Sequence, residues 1–180
     1  NYLHGIPHFA VSISQQFRGR TEHAVVYDPM RDEKFTATRG NGAYLNNKRI
    51  RVSQRTELEG AILATAFPFR KREHMKPYMN IFTRLWEQAE DFRRAGTASL
   101  DLAYTAAGRV DGFFEIGLKP WDVSAGALLV REAGGVVTDF SGNDKVEECD
   151  SVMAAPYKLM TELRRIIEPR WAAALAASGQ

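Results

Sequence analysis

One cysteine, Cys149, stands in a chain of 180 residues, so no disulfide can form within it and the fold must rest on packing alone. A lone thiol of this kind is expected to be buried or incidental. No apolar run is long enough to span a membrane, no signal peptide precedes the first block, and no repeat or low-complexity tract interrupts the chain, a pattern that fits the cytoplasm. Neither sign of charge dominates. Twenty-four Lys+Arg against 22 Asp+Glu leave +2, which removes any blanket electrostatic case for nucleic acid. The four histidines, His4, His8, His23 and His74, show no metal-ligand spacing, and no Ser–His or Cys–His pairing marks a covalent nucleophile. What is present is core material: 44% apolar and 11% aromatic residues suffice for one or two small domains.

From Phe9 to Val52 the chain alternates short β-rich runs with turns: 9–13, then Arg18-Gly19-Arg20, 24–27, 34–37 and Gly40-Asn41-Gly42. This reads as an antiparallel meander. Asp28-Pro29-Met30-Arg31-Asp32 falls between two such runs and reads as a hairpin turn, because Asp-Pro initiates turns. The polar stretch from Ser53 to Gly60 shows no strand alternation and serves as the linker. Beyond it come a strand over 61–65, a helix from Pro77 to about Glu90 with Tyr78, Ile81, Phe82 and Leu85 on one face, and a short strand over 92–95. A helix from Thr97 to Ala107, a strand over 112–116 and a helix from Val123 to Ala133 follow, then strands over 136–138 and 151–154 and a closing helix over 157–167. The expected division is 1–53 for the rest of an antiparallel-sheet domain, 54–60 for a linker, 61–168 for an αβ domain and 169–180 for a tail. The class is α/β in an α+β layered form, with helices on both faces of the second sheet.

Asp122 sits at the mouth of the helix that ends on Gly134-Gly135. A helix start presents free N–H groups and the positive end of the dipole, and an Asp there caps the helix while keeping oxygen lone pairs for a hard cation. Simple capping is the commoner reason for an Asp in such a place. Gly96-Thr97-Ala98-Ser99 opens another helix after a strand, offering amides to an anion or a hydroxyl-rich ring, or being N-capped by Thr97. Glu115 closes a strand, where exposure is the ordinary fate of a glutamate. Of Arg93 and Arg94, which face opposite ways on one strand, Arg93 is the candidate for substrate, its neighbour serving the other face, as in a subunit contact. Trp121 is expected to pack the start of its helix. Arg70-Lys71-Arg72 and the basic run over 49–51 are expected to be solvated loops.

Several blocks in fixed order carry a resemblance: Trp121-Asp122-Val123-Ser124-Ala125-Gly126 ending in Glu132-Ala133-Gly134-Gly135, with Gly96-Thr97-Ala98-Ser99-Leu100, Ala106-Ala107-Gly108-Arg109-Val110-Asp111, Phe113-Phe114-Glu115 and the opening Asn1 to Ile13. Together they resemble the inositol monophosphatase family of Mg²⁺-dependent, lithium-sensitive phosphatases over about residues 1 to 160, and within it the bacterial SuhB type. The resemblance implies a layered αβ sandwich and a phosphomonoesterase for inositol monophosphate or a related polyol phosphate, with Asp122 as catalytic metal ligand. It also implies that Glu115 and the backbone of Gly96, Thr97 and Ala98 bind the polyol ring, that Mg²⁺ is the cofactor and that the protein forms a homodimer. The family's upstream Glu and its Asp-Pro-x-Asp-Gly-Thr motif are missing from this chain. It therefore looks like the C-terminal two-thirds, expected to be inactive alone. The SuhB type implies an alternative, transcription antitermination through RNA polymerase and Nus factors, in which catalysis is dispensable.

Overall fold

The computed structural model describes residues 1–69 and 71–178; Arg70 of the basic triplet and Gly179 and Gln180 of the expected tail lie outside the described residues. Five strands, β1 (Val11–Phe17), β2 (Arg20–Asp28), β3 (Glu33–Thr38), β4 (Gly42–Leu45) and β5 (Lys48–Arg49), form an antiparallel meander in chain order. Its register pairs Ile13 with Val25 and Val26 with Phe35, so Ala24, Val26, Phe35 and Ala37 share the inward face. Asp-Pro does make the β2–β3 hairpin. The buried Asp28 carboxylate accepts from the amides of Met30 (2.9 Å) and Arg31 (3.2 Å), closing the turn on itself.

After the irregular 50–61 stretch come β6 (Ile62–Thr65), α1 (Met75–Trp86), β7 (Asp91–Arg93), α2 (Ala98–Ala106), β8 (Gly112–Ile116), α3 (Pro120–Glu132), β9 (Val136–Thr138), β10 (Ser151–Ala155) and α4 (Tyr157–Ser178). The second sheet runs β7-β6-β8-β10-β9, with β6 parallel to β7 and β8 and β10 antiparallel to both of its neighbours. Its central strands are buried on both faces. Phe113, Val152 and Ala154 point to α2 and α3, while Phe114, Met153 and Ala155 point to α1 and α4. The first cluster also takes in Ala24, Val26 and Phe35, so α2 and α3 form a layer between the two sheets. That layer is tight: a Cβ on Gly126 of α3 would stand 2.5 Å from Leu102 Cβ of α2, so glycine there permits the approach.

Two helix bounds correct the sequence reading. α3 starts at Pro120 and not at Val123, because a proline at the first helical position loses no hydrogen bond and arrives with a helical φ. α4 does not stop near Ile167 but continues through Pro169 to Ser178. A proline inside a helix costs about 3 kcal/mol. The added turns offset that cost by burying Trp171 edge-on against His74 and Phe140.

Candidate active site

The amino ends of α2 and α3 and the end of β8 open onto one cleft of about 650 Å³. Its walls include Arg94, the run from Gly96 to Ser99, Glu115, Trp121 and Asp122, joined by Asn1, Tyr2 and Phe9 from the first segment and by Phe69. Residues far apart in the chain are thus brought together by topology: β8 lies beside β6 and β10, and the short connection after Ile116 carries the chain straight into α3.

Asp122 is the third residue of α3, not its N-cap. Its Oδ2 accepts from the amide of Lys119 at 3.0 Å, which caps the first turn from inside, and its own N–H bonds to the Lys119 carbonyl at 2.9 Å. A lysine side chain has no acceptor, so the carboxylate makes the side-chain half of the cap alone. No described residue donates to Oδ1. Capping and cation binding are therefore compatible at this residue, one oxygen for each.

Glu115 is 7% exposed, unlike the solvated strand-end glutamate that its position suggests. Strand alternation puts it on the face of Phe113, towards α2 and α3. Thr97 precedes α2 but does not cap it. Its hydroxyl donates to the His8 carbonyl (3.0 Å) and receives a contact from Asn1 Nδ2, so the amides of the first turn of α2 keep no side-chain acceptor from Thr97. Gly96 adopts φ +84°, the left-handed conformation that swings the chain from β7 into the helix.

Arg93 is not brought into the cleft. It pairs with the Asp91 carboxylate on the exposed side of β7, while Arg94 takes the opposite face, lines the cleft and reaches 3.2 Å from where a Gly96 Cβ would be. Trp121 does not pack the start of its helix either: it is 68% exposed in the cleft wall. Cys149 is half-buried away from the cleft, its thiol donating to the Lys145 carbonyl at 3.3 Å and its pKa pushed up to about 11, by burial first and by the neighbouring Asp139 carboxylate second.

Two residues escaped the sequence reading. Asn1 Nδ2 donates to the carbonyls of His8 (2.7 Å) and Ala95 (3.1 Å), stitching the first segment to the loop before α2. Asp101, one turn into α2, is 2% exposed with Oδ2 unbonded; burial pushes its carboxyl up to about 7, against the opposing pull of Arg94. An acid between two leucines, Leu100-Asp101-Leu102, was the available signal for it. Among the described residues no group of three or more His, Cys, Asp or Glu side chains is placed to hold a metal ion, and no helix is long and apolar enough to cross a membrane.

Comparison with known proteins places these features in a family. The model of the inositol monophosphatase family matches residues 1–174. The protein named Nus factor SuhB of Escherichia coli K12 is 62% identical over 142 residues, 79% of this chain and 53% of that protein. Its namesake in Vibrio cholerae is 53% identical over 169 residues, 93% of this chain and 63% of that protein. The crystal structure of the extragenic suppressor protein suhB of Bartonella henselae superposes with TM-score 0.90 at 43% identity, covering 93% of this chain and 64% of that one. The inositol monophosphatase of Anabaena (Nostoc) sp. PCC 7120 gives 0.88 at 38%, covering 94% and 67%. The chain thus spans between about half and two thirds of the length of the curated relatives it matches.

Proposed function

Starting from the fact that this chain belongs to the inositol monophosphatase family, we propose that it carries the substrate-binding wall and one metal carboxylate of a Mg²⁺-dependent phosphomonoesterase for inositol monophosphate or a related polyol phosphate. The observation that supports this reading is the cleft, in which Asp122, Glu115 and the amino end of α2 share one space. The donor set fits part of a magnesium site. Mg²⁺ takes six oxygens, several of them from water, and Asp122 Oδ1 offers one, but no second cluster of acids stands beside it among the described residues. In this reading the remaining ligands of the metal lie outside the described residues. When bound, the metal supplies an acidified water and neutralises phosphate charge.

The rest falls to side chains and amides of this chain. The amides that open α2 and the Glu115 carboxylate take the hydroxyls of the ring, the former as donors and the latter as acceptor. Arg94, in place of Arg93, holds positive charge over the cleft. In this reading the protein acts in the cytoplasm as a homodimer.

The test is phosphate release from inositol 1-phosphate with Mg²⁺, run on the 180-residue chain and on a chain extended upstream to the length of the relatives. The extended chain is expected to be active and lithium-sensitive, and the 180-residue chain inactive. Turnover by the short chain would move the metal site. No turnover by either would favour the second reading, which rests on the relatives named Nus factor SuhB: a transcription role with RNA polymerase and Nus partners, independent of catalysis. In that case Asp122→Asn is expected to leave polymerase binding unchanged.

A further inference from the structure

His8 joins three parts of the molecule. Its carbonyl accepts from Asn1 Nδ2 at 2.7 Å and from the Thr97 hydroxyl at 3.0 Å, which ties the first segment to the residue before α2. Its ring lies edge-on to Tyr104 of α2, with centroids 6.4 Å apart, and the β2–β3 hairpin brings the Arg31–Asp28 ion pair (2.8 Å) within electrostatic reach of it. Tyr104 is itself held under the Arg109 guanidinium at 4.9 Å, and Arg109 pairs with Glu33. Nε2 of His8 is shut off from solvent and has no hydrogen-bond partner among the described residues.

A proton taken up by such a ring would leave water without gaining an acceptor. Burial first and the Arg31 guanidinium second hold the pKa of His8 below 6.5, and the Asp28 carboxylate opposes them. A ring out of its seat ionises near 6.5. As pH falls through that value the unseated ring gains a proton that the seated one refuses. Each further unit, down to the pKa of the seated ring, therefore favours unseating by up to about tenfold.

The consequence falls on Thr97. It is the N-cap residue of α2, with the non-helical backbone that suits a cap (φ −141°, ψ 88°), and threonine is a good capping residue. Only the direction of its hydroxyl is wrong, because the His8 carbonyl holds it. Released, that hydroxyl can turn to the amide of Ser99, the second residue of the helix, and an amide so capped is lost to a ligand in the cleft.

We propose that His8 is a pH-sensitive latch on the amino end of α2: seated and neutral, it keeps Thr97 off the helix and the amides open to the cleft, and on protonation it lets go and Thr97 caps the helix. The latch is independent of what the cleft binds; its effect on turnover rests on the reading of the cleft as a polyol-phosphate site.

Proton and amide NMR of the 180-residue chain between pH 8 and pH 5 tests the latch without substrate. The His8 ring is expected to titrate with a midpoint below 6.5, and the Ser99 amide to shift with the same midpoint. In His8→Phe, which keeps an aromatic ring beside Tyr104, that component should vanish and leave the shift that belongs to Asp101, near pH 7. In Thr97→Val the ring should still titrate while Ser99 no longer follows it. Arg31→Gln removes the opposing cation, so the midpoints of His8 and Ser99 should rise together, a result that does not depend on His8→Phe folding. A His8 midpoint at or above 6.5, a Ser99 shift that survives in His8→Phe or follows the ring in Thr97→Val, or midpoints that part in Arg31→Gln overturns the proposal. In the extended chain, kcat/KM for inositol 1-phosphate one pH unit below the His8 midpoint is expected to be about tenfold lower in wild type than in His8→Phe, each relative to its own value at pH 8. Equal acid limbs overturn the proposal. An extended wild-type chain with no turnover at any pH sinks the phosphatase reading instead, and the NMR titrations still decide the latch.

Discussion

At its carboxyl end α3 is tied down: Glu132 accepts from the amides of Gly40 (2.8 Å) and Gly42 (2.7 Å), and the chain then turns on Gly134 and Gly135, where a Cβ on Gly135 would stand 2.7 Å from Val130 and 2.8 Å from Val52. At its amino end the same helix leaves an oxygen of Asp122 with no donor among the described residues, and an exposed indole. One end has its polar groups paired and its space filled, as stability demands. The other keeps unused bonding capacity in a cleft, which stability alone does not explain. Substitutions at the two ends should therefore fail in different ways.

The largest separation is expected at Asp122. In the extended chain, Asp122→Asn keeps an acceptor for the Lys119 amide but loses the charge that a cation requires, so kcat should fall a thousandfold or more, about 4 kcal/mol, while the melting temperature barely moves. Near-normal turnover at ordinary Mg²⁺ would reduce Asp122 to a cap and erase the contrast between the ends.

That contrast was only half legible in the sequence. The strands over 112–116 and 136–138, the turns of the meander and the Asp-Pro hairpin were readable, because periodicity and turn chemistry are local. The cleft was readable as a set of candidates, and the missing part was orientation. Alternation says that Arg93 and Arg94 face opposite ways but not which faces in; that is set by β7 pairing with β6 at the sheet edge. Capping of α2 by Thr97 is one of two readings the sequence leaves open, and in the structure it is excluded by a carbonyl 89 residues away that holds the hydroxyl. The sequence reads Trp121 as packing the start of its helix, and only the three-dimensional position of that start shows it 68% exposed among the described residues.

Asp101 extends the comparison to α2, where a buried acid next to the cleft behaves as a cost of the site. Unfolded, it ionises near 3.8; folded, near 7. Between these values the folded chain holds a proton that the unfolded chain has lost, so its contribution falls as pH rises from about 4 to about 7, by up to about 4 kcal/mol. His8 works the other way, since burial first and Arg31 second lower its pKa below 6.5 and favour the folded state as pH rises. The difference between wild type and Asp101→Asn cancels His8. Denaturant unfolding at pH 5 and pH 8 is expected to show the variant gaining on wild type at the higher pH, and parallel stabilities would mean that Asp101 finds a partner.

At the tied end, Glu132→Ala removes both acceptor bonds to the β3–β4 turn. Two charge-assisted bonds of this kind contribute about 3 kcal/mol together, or roughly 6–12 °C in melting temperature for a chain of this size. Activity of the extended chain below its melting range should change far less than in Asp122→Asn. A comparable loss of kcat would show that the anchor positions the far end of the helix, 10 residues away in sequence, and would merge the two ends into one device.

Glu115 gives the smallest and most discriminating effect, because it asks what the open end is for. Glu115→Gln keeps the shape and one acceptor oxygen but removes the charge that strengthens acceptance from a hydroxyl. If the carboxylate holds the ring and takes no part in the phosphate chemistry, kcat/KM for inositol phosphate should drop by about 1.5–3 kcal/mol, the value of a charge-assisted hydrogen bond, while an ester without ring hydroxyls is hydrolysed almost as before. The distinction depends on where the negative charge acts. A carboxylate beside the metal would influence every ester alike, because the phosphate is common to all of them; one on the ring is felt only by substrates that have the ring. Equal losses on both esters would therefore move Glu115 into the metal's surroundings, and no loss on either would leave its burial beside the cleft as a packing feature of β8.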